Sequence, residues 1–86
     1  MEPYDVRFRR SVEKDLRRIP AGARRHCLEH IDRLRADPRP RLAVQLTGSR
    51  HTYRIRDGSY RIVYQVDDAE RLVVVEYVRH RKDAYK

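Results

Sequence analysis

The segment YRIRDGSYRIVYQV, Tyr53 to Val66, constrains this chain more than any other stretch. Apolar and polar residues alternate on both sides of an Asp-Gly pair, the pattern of two half-buried strands joined by a tight turn. With Asp57-Gly58 as the two turn residues, Arg56 is expected opposite Ser59 and Arg54 opposite Arg61. Side chains alternate between faces along a strand. Tyr53, Ile55, Tyr60, Ile62 and Tyr64 then share one face, and Arg54, Arg56 and Arg61 share the other. Slipping the register by one residue would put Arg61 among the isoleucines as an unpaired buried charge. Like charges directly opposed in a sheet cost about 0.2–1 kcal/mol. A pairing that costs stability points to an anionic ligand that relieves it. The plain alternative is that these arginines reach into water or pair with Glu76 and the nearby aspartates.

Around the hairpin, Tyr4, Val6 and Phe8 alternate with charged residues, so residues 3–8 read as a strand. Val12, Leu16 and Ile19 follow at helical spacing, with Ser11 as a cap near the helix start. Pro20 and Gly22 break this helix. A second helix places Ala23, Cys27, Ile31 and Leu34 on one stripe and stops before Pro38 and Pro40. Residues 41–51 read as a connector with Gly48 as a turn. Residues 67–70 form a polar turn, and the apolar run from Leu72 to Val78 reads as a central strand, covered at least in part on both faces. The order is β-α-α-β-β-β. It predicts one α+β domain over residues 1–86, a small, mostly antiparallel β-sheet with an N-terminal helical hairpin on one face.

Eighty-six residues allow one domain with a thin core. Apolar and charged residues each make up 40%, and the apolar ones come in periodic blocks, so the composition is not that of a disordered chain. The net charge is +8, and all but three of the 21 basic residues (Lys14, Lys82 and Lys86) are arginine. The guanidinium fork suits phosphate, so an acidic partner is expected, nucleic acid or an acidic protein. One cysteine, Cys27, allows no internal disulfide. No apolar run approaches the roughly 20 residues of a membrane helix. The N-terminus lacks the apolar stretch of a signal peptide. The expected location is the cytoplasm, with no membrane partner.

Tyr-Arg-Ile-Arg, a glycine turn, Tyr-Arg-Ile-Val-Tyr, an apolar strand and the closing His-Arg-Lys-Asp-Ala-Tyr (residues 80–85) come in an order that resembles the RelE-type toxins of bacterial toxin–antitoxin pairs. The resemblance covers nearly the whole chain, and the HRKDAY end favours the RelE branch of the RelE/ParE superfamily. It implies a ribosome-dependent endoribonuclease that cuts messenger RNA in the ribosomal A site without a metal or other cofactor. The implied partners are the ribosome, its messenger RNA and small-subunit ribosomal RNA, and a cognate antitoxin protein. The implied catalytic positions are Arg54, Arg56, Arg61, Arg81 and Tyr85. Arg50, Arg79 and Lys82 are expected as RNA contacts. The implied chemistry is attack of a ribose 2′-hydroxyl on the adjacent phosphate, whose transition state gathers negative charge that arginines stabilise. A ring such as Tyr85 can stack on a splayed base. Two other readings share the resemblance: a ParE-type inhibitor that binds DNA gyrase without catalysis, and an inactive RNA-binding relative.

The chain departs from the family at two places. The best-known member has lysines where this chain has Arg54 and Arg56. Arginine effectively never gives up its proton. The proton carrier is therefore sought at His80 or Tyr85, and His80 sits between two arginines, whose charge disfavours a further cation. Arg79 stands where many relatives have glycine, which could alter the path of the backbone into the tail. His26-Cys27-Leu28-Glu29-His30 also matches the H-x-x-E-H zinc pattern, but no third ligand is evident and Cys27 belongs to the apolar stripe. It reads as the polar flank of a packed helix, with an inert thiol. The arginines on or near the helices (Arg9, Arg10, Arg17, Arg18, Arg24 and Arg25) form a solvated face or a contact for ribosomal RNA backbone.

Overall fold

A computed structural model describes residues 2–84. Its elements run β1 (Asp5–Phe8), α1 (Arg10–Arg17), α2 (Ala21–Arg33), β2 (Val44–Gln45), β3 (Thr52–Asp57), β4 (Tyr60–Asp67), β5 (Leu72–His80) and a short α3 (Arg81–Ala84). The strands form one sheet in the order β1-β5-β4-β3-β2. All neighbours are antiparallel except β1, which runs parallel to β5. The α+β class and the mostly antiparallel sheet are as read from the sequence, and the parallel β1–β5 pair makes the sheet mixed. The stretch read as a connector contributes an edge strand, β2.

One face of the sheet carries the core. Ile55 and Tyr53 of β3, Ile62, Tyr64 and Val66 of β4 and Val73, Val75 and Val78 of β5 pack against Val12, Ile19, Cys27, Ile31 and Leu34 from the helical segment. The spacing of the buried valines is explained by a bulge. Val63 pairs with Tyr77, but Tyr64 pairs with Val75, so Glu76 is the extra residue. The bulge lets Val75 and Val78 face the same core although their numbers differ in parity.

β5 lies inside the sheet between β1 and β4, as its apolar run suggests, and β4 is the middle of the five strands. β1 covers β5 only from Leu72 to Val75, which leaves the second half of β5 with an open edge. There a carboxylate replaces a strand: Asp15 of α1 accepts the Val78 backbone N–H at 3.3 Å. Two local expectations are corrected. Ser11 is not the cap of α1: Arg9 holds that position in extended geometry, and no side chain caps the helix. The Arg9 side chain instead makes paired hydrogen bonds to Glu76 at the bulge. Gly22 does not break the helical region but lies in the first turn of α2, which starts after Pro20. Proline suits that place because its missing N–H costs a helix start nothing.

The hairpin register also differs from the expected one. Asp57 pairs with Tyr60, Arg56 with Arg61 and Arg54 with Val63. The turn residues are Gly58 and Ser59. Gly58 has φ +60° and Ser59 keeps a negative φ, the pattern of a turn that requires glycine at its first central position. The pairing moves by two residues, an even number, so every side chain stays on its expected face.

Candidate functional site

On the face away from the core, Arg56 of β3, Arg61 of β4 and Arg79 of β5 lie in one row across three adjacent strands. Arg54 lies one pleat further from the turn, opposite Val63, which in turn faces Tyr77. Val63 is only 3% exposed yet lies outside the main core cluster, so this second face has its own small apolar patch beneath the cations. Long arginine stems cover such a patch while keeping their charged ends near water.

The row does not act as one unit. Arg79 turns away from the hairpin: its guanidinium lies over the Tyr77 ring at 4.6 Å, with its Nε 3.7 Å from Asp15. The backbone passes through Arg79 as regular strand into His80, so replacing the family glycine leaves the path into the tail extended. Arg50 precedes β3, at the end of the strand opposite the hairpin turn, and is not brought to the cluster.

The tail supplies what Arg79 does not. β5 ends beside the hairpin tip, and the Arg81 backbone N–H donates to the Ser59 carbonyl at 2.7 Å. This bond places α3 against the turn. Arg56, Gly58, Ser59, Tyr60, Arg61, Arg81 and Lys82 then line a cleft of about 360 Å³. Among the described residues that line it, four side chains are cationic and none is acidic. The cleft is therefore built to hold an anion, and its planar guanidinium forks match phosphate oxygens. In the sequence Gly58, Ser59 and Tyr60 read as turn and core residues, not as site residues. Only the pairing of tail with turn shows that they line the cleft.

His80 does not face this cleft. It pairs with Tyr60, on the core side of the sheet, and their rings meet edge to face at 5.4 Å. With Asp15, Arg18, Ile19, Val78 and Arg79 it borders a separate hollow of about 510 Å³. Its Nδ1 accepts the Lys82 backbone N–H at 3.2 Å. Tyr85, the other expected proton carrier, lies outside the described residues.

The H-x-x-E-H segment lies on α2, where His26 and His30 approach the Asp57 carboxylate at 3.9 and 3.7 Å. Among the described residues, no group of three or more histidine, cysteine, aspartate or glutamate side chains could hold a metal ion. Cys27 is fully buried, and burial first, with the Asp57 charge second, pushes its thiol up to about 11. It is not a nucleophile at neutral pH.

Comparisons with known proteins give the family and the fold. Residues 6–85 match the family described as ParE toxin of type II toxin–antitoxin system, parDE. The chain belongs to the RelE/ParE superfamily of toxins. Toxin RelG of Mycobacterium tuberculosis is 34% identical over 89 residues, spanning 98% of both chains. The toxin–antitoxin complex RelBE2 of the same organism contains a chain that superimposes with a TM-score of 0.79 at 32% identity, covering 92% of this chain and 99% of that one. Escherichia coli toxin RelE in the free state, carrying two arginine-to-alanine substitutions, gives a TM-score of 0.81 at 26% identity, over 96% and 88% of the two chains. The relatives are named RelE and RelG, whereas the family description is that of ParE. Shared fold leaves the activity to be argued from the site.

Proposed function

We propose that this toxin is a ribosome-dependent messenger RNA endoribonuclease, restrained by a cognate antitoxin protein. The observation that carries the reading is the cleft at the hairpin tip, where the side chains of Arg56, Arg61, Arg81 and Lys82 converge. In the proposed reaction the ribose 2′-oxygen attacks the neighbouring phosphorus, the bond to the 5′-oxygen breaks, and a cyclic phosphate end remains. The 2′-hydroxyl loses a proton and the 5′-oxygen gains one. Arg56, Arg61 and Arg81 serve as fixed positive charges aimed at the phosphate oxygens, where charge builds up in the transition state. They do not carry protons, because a guanidinium stays charged at any working pH. Lys82 adds charge at the cleft rim, and Arg54 extends the cationic track along β3. Arg50 and Arg79 serve as outlying RNA contacts. Tyr85 serves as a stacking platform for an unpaired base or as a proton carrier.

An antitoxin partner is supported by RelBE2 and by the intact E. coli RelBE complex, both solved as toxin–antitoxin pairs of similar chains. The cytoplasm, where ribosomes are, is the proposed location. No helix among the described residues is long and apolar enough to cross a membrane.

The test is to map transcript 5′ ends after induced expression of the wild type, Arg61→Ala and Arg81→Ala. New ends within translated codons are expected for the wild type alone, with both variants folded. Gyrase-dependent DNA breaks without cut transcripts would instead support the ParE-type reading that the family description favours. Single-stranded RNA binding through four cations should show a log–log salt slope of about −3. A flat salt response would count against any RNA reading.

A further inference from the structure

The tail of β5 holds a histidine that its position and its hydrogen bond both withdraw from proton transfer. His80 sits at the junction of β5 and α3, immediately before the first helical residue, Arg81. Its Nδ1 accepts the N–H of Lys82, the second residue of α3. This is the bond an N-cap side chain makes, and it satisfies a donor that a helix start otherwise leaves open. A neutral imidazole has one lone-pair nitrogen and one N–H. With Nδ1 accepting from the backbone, a neutral ring carries its N–H at Nε2, and its one lone-pair nitrogen is engaged by the helix start. The ring is held from the side by Tyr60, its partner across the β4–β5 ladder.

Two bonds thus bracket the start of the tail: Arg81 N–H on the Ser59 carbonyl and Lys82 N–H on the His80 ring. Both carry a cation of the cleft on the residue whose N–H they fix. We infer that His80 is a positioning residue, an N-cap that sets Arg81 and Lys82 against the hairpin turn, rather than the base that takes the 2′-hydroxyl proton. The inference rests on the reading of the cleft as the site for RNA phosphate, and it removes His80 from the candidates for the proton carrier.

The test compares three variants in cleavage assays with ribosomes and in the free protein. The Oδ1 of His80→Asn stands where Nδ1 stands and can cap, but the side chain cannot act as a base. His80→Gln carries its acceptor too far out, and His80→Ala has none. Cleavage by His80→Asn should stay within about twofold of wild type, and that of the Ala and Gln variants should fall by about fivefold or more. In the free wild-type protein, nitrogen NMR should show the imidazole with its proton on Nε2. The Lys82 amide should exchange more slowly in the wild type and His80→Asn than in His80→Ala. A folded His80→Asn as inactive as His80→Ala, or a ring protonated on Nδ1, would overturn the inference. Full cleavage by Arg81→Ala would instead remove the reading of the cleft, and the tautomer and amide exchange would still decide whether His80 is the cap.

Discussion

Arg56 and Arg61 stand directly opposite one another across the β3–β4 hairpin, two like charges in paired positions beside a one-glycine turn. Both line the cleft that Arg81 and Lys82 close from the tail. The pairing works against the hairpin and in favour of anion binding, and the two effects can be measured separately.

Replacing Arg56 with threonine should show this opposition. Threonine suits a strand and removes the like-charge pair, so urea unfolding should give a stability equal to wild type or higher by up to about 1 kcal/mol. Growth arrest on induction should weaken in the same variant. A loss of stability together with full toxicity would mean that Arg56 serves the fold and not the cleft.

A second prediction concerns acid. Hydrogen bonds from Arg39, and next from Tyr4, hold the Asp68 carboxyl down at about 2. Arg39 grips both oxygens of Asp68 and also donates to the Tyr53 hydroxyl, so the group ties the segment after α2 to β3 and to the β4–β5 turn. Because the folded value lies below the ordinary one near 3.8, the ion pair's contribution is fully present above that ordinary value. It is lost as pH falls from there towards about 2. The urea midpoint of wild type should therefore drop more steeply across that window than the midpoint of Asp68→Asn. Parallel curves would show that Asp68 adds no pH dependence.

The third prediction is structural. Tyr64 is fully buried, and its hydroxyl donates to the Pro38 carbonyl at 2.8 Å. Burial first raises its phenol well above the ordinary tyrosine range, so it remains a donor at all working pH values. Tyr64→Phe keeps the packing but leaves a buried carbonyl without its donor, at a cost of about 1–3 kcal/mol in thermal or urea unfolding. RNA cleavage at low temperature should be unchanged, because the Pro38 segment lies away from the cleft.

Much of this architecture is legible in the residues themselves. Parity of apolar positions assigns Tyr53, Ile55, Ile62 and Tyr64 to one face of the hairpin and Arg54, Arg56 and Arg61 to the other. The assignment holds in the observed register because the pairing differs from the expected one by two residues, and an even shift keeps every side chain on its face. Helical spacing likewise marks Val12, Cys27, Ile31 and Leu34 as core. These patterns are local, and burial acts on each residue through a period that the backbone imposes.

What depends on contacts distant in sequence was not legible. Nothing near Val44 announces an edge strand, since two residues pair only because β3 is already there. The choice of Gly58-Ser59 over Asp57-Gly58 as the turn hangs on one dihedral angle and on the partners that Asp57 finds across on α2. The cleft joins residues 56–61 to residues 81–82 through the end of the β4–β5 pairing and the Arg81 N–H on the Ser59 carbonyl. The role of His80 turns on which face of β5 it occupies and what its ring nitrogen accepts. By itself the sequence determined the two-faced hairpin and the charge of its outer face, because alternation and hydrophobicity act within a strand. Tertiary structure alone decided which cations meet in the cleft, because strand pairing and the return of the tail bring them together.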